Sequence, residues 1–188
     1  MVKSTTASLW LEEGYLLFAK HGPDTVRVEK LARGIHMNKS GFYHYFGDQE
    51  GYWDELLRLH ELKASAYLKD VALIRSIDPE YFQLLMKHKV STLFHMQLMR
   101  MRINPAVARL IEVIDQEEER VLSDVWSDFL GIHERPQLAA RYFDLVRGMF
   151  YSRITFANFE YPYLFELITE ARALMQDLME SGMTARQV

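Results

Sequence analysis

Three observations predict an all-helical fold. Apolar residues recur at helical spacing: Val28, Leu31, Ala32 and Ile35 fall at i, i+3, i+4 and i+7, one narrow stripe. Helix punctuation recurs between such stretches, at Gly22-Pro23, Gly47-Asp48, Asp78-Pro79, Asn104-Pro105 and the loop Gly131 to Pro136. No strand pattern, internal repeat or low-complexity segment interrupts the 188 residues, a length that suits one small N-terminal module and one helical body.

Taken in order, the first helix spans about Thr6 to His21 and stops at Gly22-Pro23. The second runs from about Val28 to Ile35, and the turn His36-Met37-Asn38 leads to a third, Lys39 to Phe46. Gly47 is placed to end that helix and Asp48 to cap the fourth. The fourth is long, Gln49 to about Ser76, and carries Trp53, Leu56, Leu57, His60, Ala64, Tyr67 and Leu68. A helix from about Glu80 to Arg102 follows Asp78-Pro79, and Asn104-Pro105 opens another that runs or breaks within Ala106 to Leu130. Two more, about Gln137 to Phe156 and Pro162 to Ser181, are split by Asn158 to Tyr161, and Gly182 with a polar tail closes the chain.

The stretch from Thr25 to Asp48 reads as a helix-turn-helix, a motif that sets its second helix in the DNA major groove. On that helix Phe42 and Phe46 are four apart and share the inward face. Ser40, Tyr43 and His44 lie opposite, flanked by Lys39 and Gly41. Such a face suits DNA: Lys39 supplies charge, and Tyr43 and His44 reach phosphates from either side of the groove. Ser40 and the bare backbone at Gly41 allow close approach to base edges. Arg27, beside the N-terminus of the second helix, reinforces an anion site, and Tyr45 completes the candidate set.

The residues carrying this pattern resemble the N-terminal domain of the TetR family of bacterial transcription regulators. Leu31-Ala32 and the run His36 to Phe46 are similar to the family's I-A-x-x-A-G-V-S-x-x-x-[LF]-Y-x-[HY]-F, and Trp10, Leu11, Gly14, Leu17, Phe18 and Gly22 resemble its first helix. Three positions depart from the family. His36 replaces the turn glycine, a site that calls for φ > 0. Arg27 stands where a Ser or Thr usually caps the second helix, and Gln49 stands where the linker has a phosphate-binding Lys. The resemblance implies an N-terminal DNA-binding domain, here 1–47, and a helical ligand-binding and dimerisation domain, here 48–188.

Composition agrees with that expectation. The net charge is −4, but the chain up to Gly47 carries +2 and the remainder −6, and phosphate binding needs only a local positive face. The chain has no cysteine, so disulfides, thiolate metal sites and cysteine nucleophiles are excluded. The N-terminus lacks a signal-peptide pattern and no apolar run reaches ~18 residues, so a soluble cytoplasmic protein with no membrane span is expected. No His has a Glu three residues before it, and His88 and His95 are two helical turns apart, so no metal site and no cofactor are expected.

The body is dense in Met and aromatics, among them Met86, Met96, Met101, Phe150 and Phe156. At helical spacing these build a core, and they also suit an adaptable pocket. The resemblance implies a ligand cavity there, for which Tyr67, Phe94, His95, Met99, Trp126 and Phe129 are the candidate lining. The last two helices carry faces broader than one helix pair can cover. The resemblance implies dimerisation through them as a four-helix bundle, with Tyr142, Leu145, Met149, Leu167, Ala171, Leu174 and Leu178 as candidates. The acidic run Asp115 to Glu119 reads as a solvated helix face.

The expected protein is a homodimeric regulator that binds double-stranded DNA at a palindromic operator and is released by an apolar or amphipathic small molecule, a repressor. The alternatives are a small helical enzyme or carrier using the body's pocket, or a helical adaptor that uses the motif for protein contact. No paired-carboxylate, nucleophile or phosphate-loop motif supports an enzyme.

Overall fold

The computed structural model describes residues 5–184. Among these residues there are nine α-helices and no strand: α1 (Thr5–His21), α2 (Val28–Gly34), α3 (Lys39–Phe46), α4 (Gln49–Val71), α5 (Phe82–Lys87), α6 (Lys89–Leu98), α7 (Pro105–Leu130), α8 (Pro136–Arg153) and α9 (Tyr161–Thr184). The chain gathers into two compact units. One holds residues up to Tyr67 together with Lys89–Ile114, the other Leu68–His88 together with the chain from Asp115 onward. The division expected at residue 47 falls within the first of these units and coincides with no boundary between them.

In the first unit α1 lies chiefly against α6, and also against α2 and α3. Its core is aromatic. Tyr15 stacks on Phe94 with ring centroids 4.0 Å apart, Phe18 tilts against Phe94 at 4.4 Å, and all three are buried. A buried polar chain runs through the same core: Tyr15 Oη lies 2.8 Å from His60 Nδ1, and His60 Nε2 lies 3.1 Å from His95 Nδ1. Tyr15 donates to Ser91 Oγ at 3.2 Å, and a neutral His60 with its proton on Nδ1 fits both neighbours, donating to Tyr15 Oη and accepting from His95 Nδ1–H at Nε2. Burial holds the His60 pKa well below the ordinary imidazole value, and the neighbouring His95 adds to that effect. Nothing in the local sequence of α4 announces this pairing, because His60 and His95 are 35 residues apart.

The second unit is built on α7, α8, α9 and α5. Phe82 on α5 meets Tyr161 edge-on at 5.5 Å, Trp126 Nε1 donates to the Ala139 carbonyl at 3.1 Å, and Tyr142 Oη donates to the Ala171 carbonyl. Arg147 Nη1 reaches the Asp115 carbonyl at 3.1 Å, and Tyr81 donates to buried Glu118 at 3.0 Å. The run Asp115 to Glu119 is therefore only partly a solvated face. Buried Glu118 points inward, and desolvation pushes the Glu119 carboxyl up, with Asp144 and Asp115 adding repulsion.

Several helix ends differ from the expectation, each for a tertiary reason. The fourth helix stops at Val71 instead of Ser76. The amide of Leu73 bonds to Asp70 O and that of Ile74 to Val71 O, a tightened turn that buries Val71, Ile74 and Ile77, while Glu80 accepts from the Ser76 amide. The expected single helix from Glu80 to Arg102 is interrupted at His88 (φ −101°, ψ 18°), whose Nε2 joins Lys87 on Asp70, and it closes in a 3-10 turn, Met99–Met101. The helix after Pro105 runs unbroken to Leu130, with Asn104 Oδ1 accepting the Ala106 amide at 2.9 Å. α8 ends at Arg153, earlier than Phe156, because Asn158 donates to the Arg153 carbonyl while Ile154 and Phe159 turn into the core. α9 continues through Gly182, and the polar tail from residue 185 lies outside the described residues.

Candidate nucleic-acid interface

The turn into α3 has the backbone that its sequence requires. His36 takes φ 55°, the left-handed conformation expected where a glycine is usual. Asn38 is extended (φ −77°, ψ 143°), and the helix starts at Lys39 without a side-chain cap. Gly47 at φ 74° closes the helix, its amide bonding to Tyr43 O at 3.0 Å. Asp48 then caps α4, its Oδ1 accepting the Gly51 amide at 2.8 Å.

The inward face of α3 is clamped by aromatics. Phe42 meets Trp10 edge-on at 5.5 Å and Tyr52 at 4.9 Å, and Phe46 meets Tyr52 edge-on at 4.9 Å. Tyr52 donates to the Trp10 carbonyl at 2.7 Å, tying α4 to α1 beneath α3. This contact depends on Gly14: a Cβ there would fall 1.8 Å from Tyr52 Oη. Gly41 is a different case. A Cβ on it would lie 3.9 Å from the Trp10 indole, an ordinary van der Waals contact, so its smallness faces the core and is no packing necessity.

The outward face carries the candidates. Lys39, Ser40, Tyr43, His44 and Tyr45 are exposed, with Tyr43 at 53% although it is aromatic. The edges of Phe42 (5.5 Å) and Tyr45 (5.0 Å) support the rings of Tyr43 and His44 respectively. Lys39 Nζ lies 2.9 Å from Glu29 Oε1, an exposed pair that lowers the Glu29 pKa and raises that of Lys39. Arg27 is the N-cap of α2 without a side-chain cap bond, and its Nε donates to Asp24 O at 3.1 Å. Gln49, where the family has a lysine, donates to the Val26 carbonyl at 2.9 Å and fastens α4 to the turn before α2.

The remaining candidates divide between the two units. Tyr67, Phe94 and His95 are buried in the first and Met99 is half-buried there; Phe94 belongs to the aromatic stack described above. In the second unit Trp126 lines a cavity of about 390 Å³ together with Phe143, Ser127, Glu119, Asp124 and His133. Its walls are thus more acidic than an apolar pocket. Phe129 stacks on Trp126 at 5.8 Å and lies under the Arg172 guanidinium. Of the dimerisation candidates, Tyr142, Leu167 and Ala171 are buried within the unit, Met149 is half-buried, and Leu145, Leu174 and Leu178 are exposed.

A polar, aromatic-backed second helix held on a three-helix aromatic core is a helix-turn-helix arrangement. Residues 9–52 match the model of the family described as bacterial regulatory proteins, tetR family. That segment, from α1 to the start of α4, is thus similar to the DNA-binding domain of tetR-family regulators, which supports a DNA-binding transcription regulator. No curated protein and no solved structure matches the chain. No described helix is long and apolar enough to cross a membrane, and no group of three or more His, Asp or Glu among the described residues could hold a metal.

Proposed function

We propose that the protein is a cytoplasmic, ligand-released repressor that binds a palindromic operator as a homodimer. Residues 1–47 contact DNA, and residues 48–188 supply the effector and dimer surfaces. The observation that carries the reading is the sorting of α3: Phe42 and Phe46 inward, Lys39, Ser40, Tyr43 and His44 outward, with Tyr43 half exposed although it is aromatic. Tyr45 and Arg27 extend the contact to the flanks. Dimerisation through α8 and α9 is favoured by the row of exposed leucines, Leu145, Leu174 and Leu178, on helices whose other faces are already packed. The effector is amphipathic, because the cavity beside Trp126 joins aromatic walls to Ser127 and carboxylates. The family consists of regulators, so an enzymatic role is not part of the proposal.

The test is a gel shift on DNA from upstream of the protein's own gene, with stoichiometry measured in parallel. Two protomers per specific site are expected. Retention of no duplex at low salt overturns the reading.

A further inference from the structure

We propose that Glu29 is a specificity-determining residue that occupies Lys39 in the free protein, so that the pair enters DNA recognition as one neutral unit. The inference rests on the DNA-binding reading of α3 above. Lys39 opens the recognition helix, and its Nζ lies 2.9 Å from Glu29 Oε1 on the preceding helix, ten residues away in sequence. The side chains are 54% and 62% exposed, so water and salt screen the pair and it holds little of the fold together. Its consequence lies in recognition. A phosphate approaching Lys39 shares the ammonium with a carboxylate, whose like charge beside the DNA backbone offsets the attraction of the lysine. Non-specific binding consists almost wholly of phosphate contacts. Glu29 therefore weakens binding to any duplex, and base-edge contacts by Ser40 and its neighbours carry a larger share of what remains.

The two charges make opposite and cancelling predictions for salt dependence. Each phosphate neutralised contributes about 0.9 to the slope of log K against log salt. Glu29→Gln frees a cation, so the slope steepens by about 0.9 per bound protomer; affinity rises up to about eightfold at ~0.1 M salt, and the gain vanishes towards ~1 M. Lys39→Ala leaves a bare carboxylate and flattens the slope by a similar amount. The double variant restores neutrality and returns to the wild-type slope.

The experiment is fluorescence anisotropy of the full chain and these three variants across a salt series, with a labelled upstream duplex and a random duplex of equal length, after thermal melts have confirmed that all four fold alike. The expected result is opposite slope changes in the single variants, recovery in the double variant, and a larger relative gain for Glu29→Gln on the random duplex. If Glu29→Gln matches wild type and the double variant matches Lys39→Ala, the pair has no role and the inference falls. If Glu29→Gln tightens binding while Lys39→Ala changes nothing, Lys39 is not the group being occupied, and the inference also falls. A wild-type protein that binds neither duplex fails earlier, on the DNA-binding reading itself.

Discussion

Replacing Gly14 by Ala sets two effects of opposite sign against each other. Ala in a helix interior is favoured over Gly by about 0.5–1 kcal/mol, so helix propensity alone predicts a more stable protein. Here the new methyl group would sit 1.8 Å from Tyr52 Oη and 2.9 Å from Cζ of the same ring, which must move. The phenol is fully buried and donates to the Trp10 carbonyl at 2.7 Å, so moving it strands a buried hydroxyl at a cost of about 1–3 kcal/mol. Overpacking adds roughly 1–3 kcal/mol. Subtracting the propensity gain leaves a net loss of about 3 kcal/mol. Because Tyr52 packs on both Phe42 and Phe46, the loss falls on the seat of α3 and weakens DNA binding as well. Urea unfolding followed by tryptophan fluorescence measures the effect, and a cycle with Tyr52→Phe isolates it. In the Tyr52→Phe background Gly14→Ala should cost at least about 1 kcal/mol less, since the clashing oxygen is gone. A Gly14→Ala protein as stable as wild type, or additive single variants, refutes the reasoning.

Three further outcomes follow from the structure. Tyr43→Phe and His44→Ala should lose DNA affinity while melting normally, whereas Phe42→Ala should lose about 3–5 kcal/mol of stability; circular dichroism melts beside gel shifts separate the two classes. His60 is neutral in the fold, with its pKa lowered by burial, so its contribution is complete above about pH 6.5 and is lost as the pH falls, with a slope of up to about 1.4 kcal/mol per pH unit. Denaturation midpoints between pH 7 and 5, compared with His60→Gln, should show a shallower dependence in the variant; equal slopes would contradict it. Ala140→Trp, which fills the cavity beside Trp126, should abolish DNA release by any amphipathic compound that releases the wild-type protein, as read by anisotropy, and undiminished release would place the effector elsewhere.

What the sequence made legible was local. The sorting of α3, the left-handed His36, the closing Gly47 and the capping Asp48 each depend on a few neighbouring residues, and spacing and turn chemistry suffice to find them. The helix ends that differed depend on distant partners: α4 stops at Val71 so that Ile74 and Ile77 can be buried, and the break at His88 is held by Asp70 from another helix. Among the site residues, Glu29 carries no local signal because its partner Lys39 lies on the next helix, ten residues away. Gln49 read as a lost phosphate contact because its bond to Val26 spans 23 residues. The exposed leucines of α8 and α9 were legible only as part of a broad apolar face. Which of them that face buries internally, such as Leu167 but not Leu174, is decided by how the two helices meet.

The central claim, that the outward face of α3 reads DNA, is tested most directly by a protection footprint on the upstream DNA. Wild-type protein should protect two symmetry-related half-sites whose centres lie roughly 34–36 Å, or a multiple of one turn, apart. The combined Tyr43→Phe, His44→Ala protein, folded and of unchanged stoichiometry, should leave both half-sites open. Protection that persists in that variant would contradict the account.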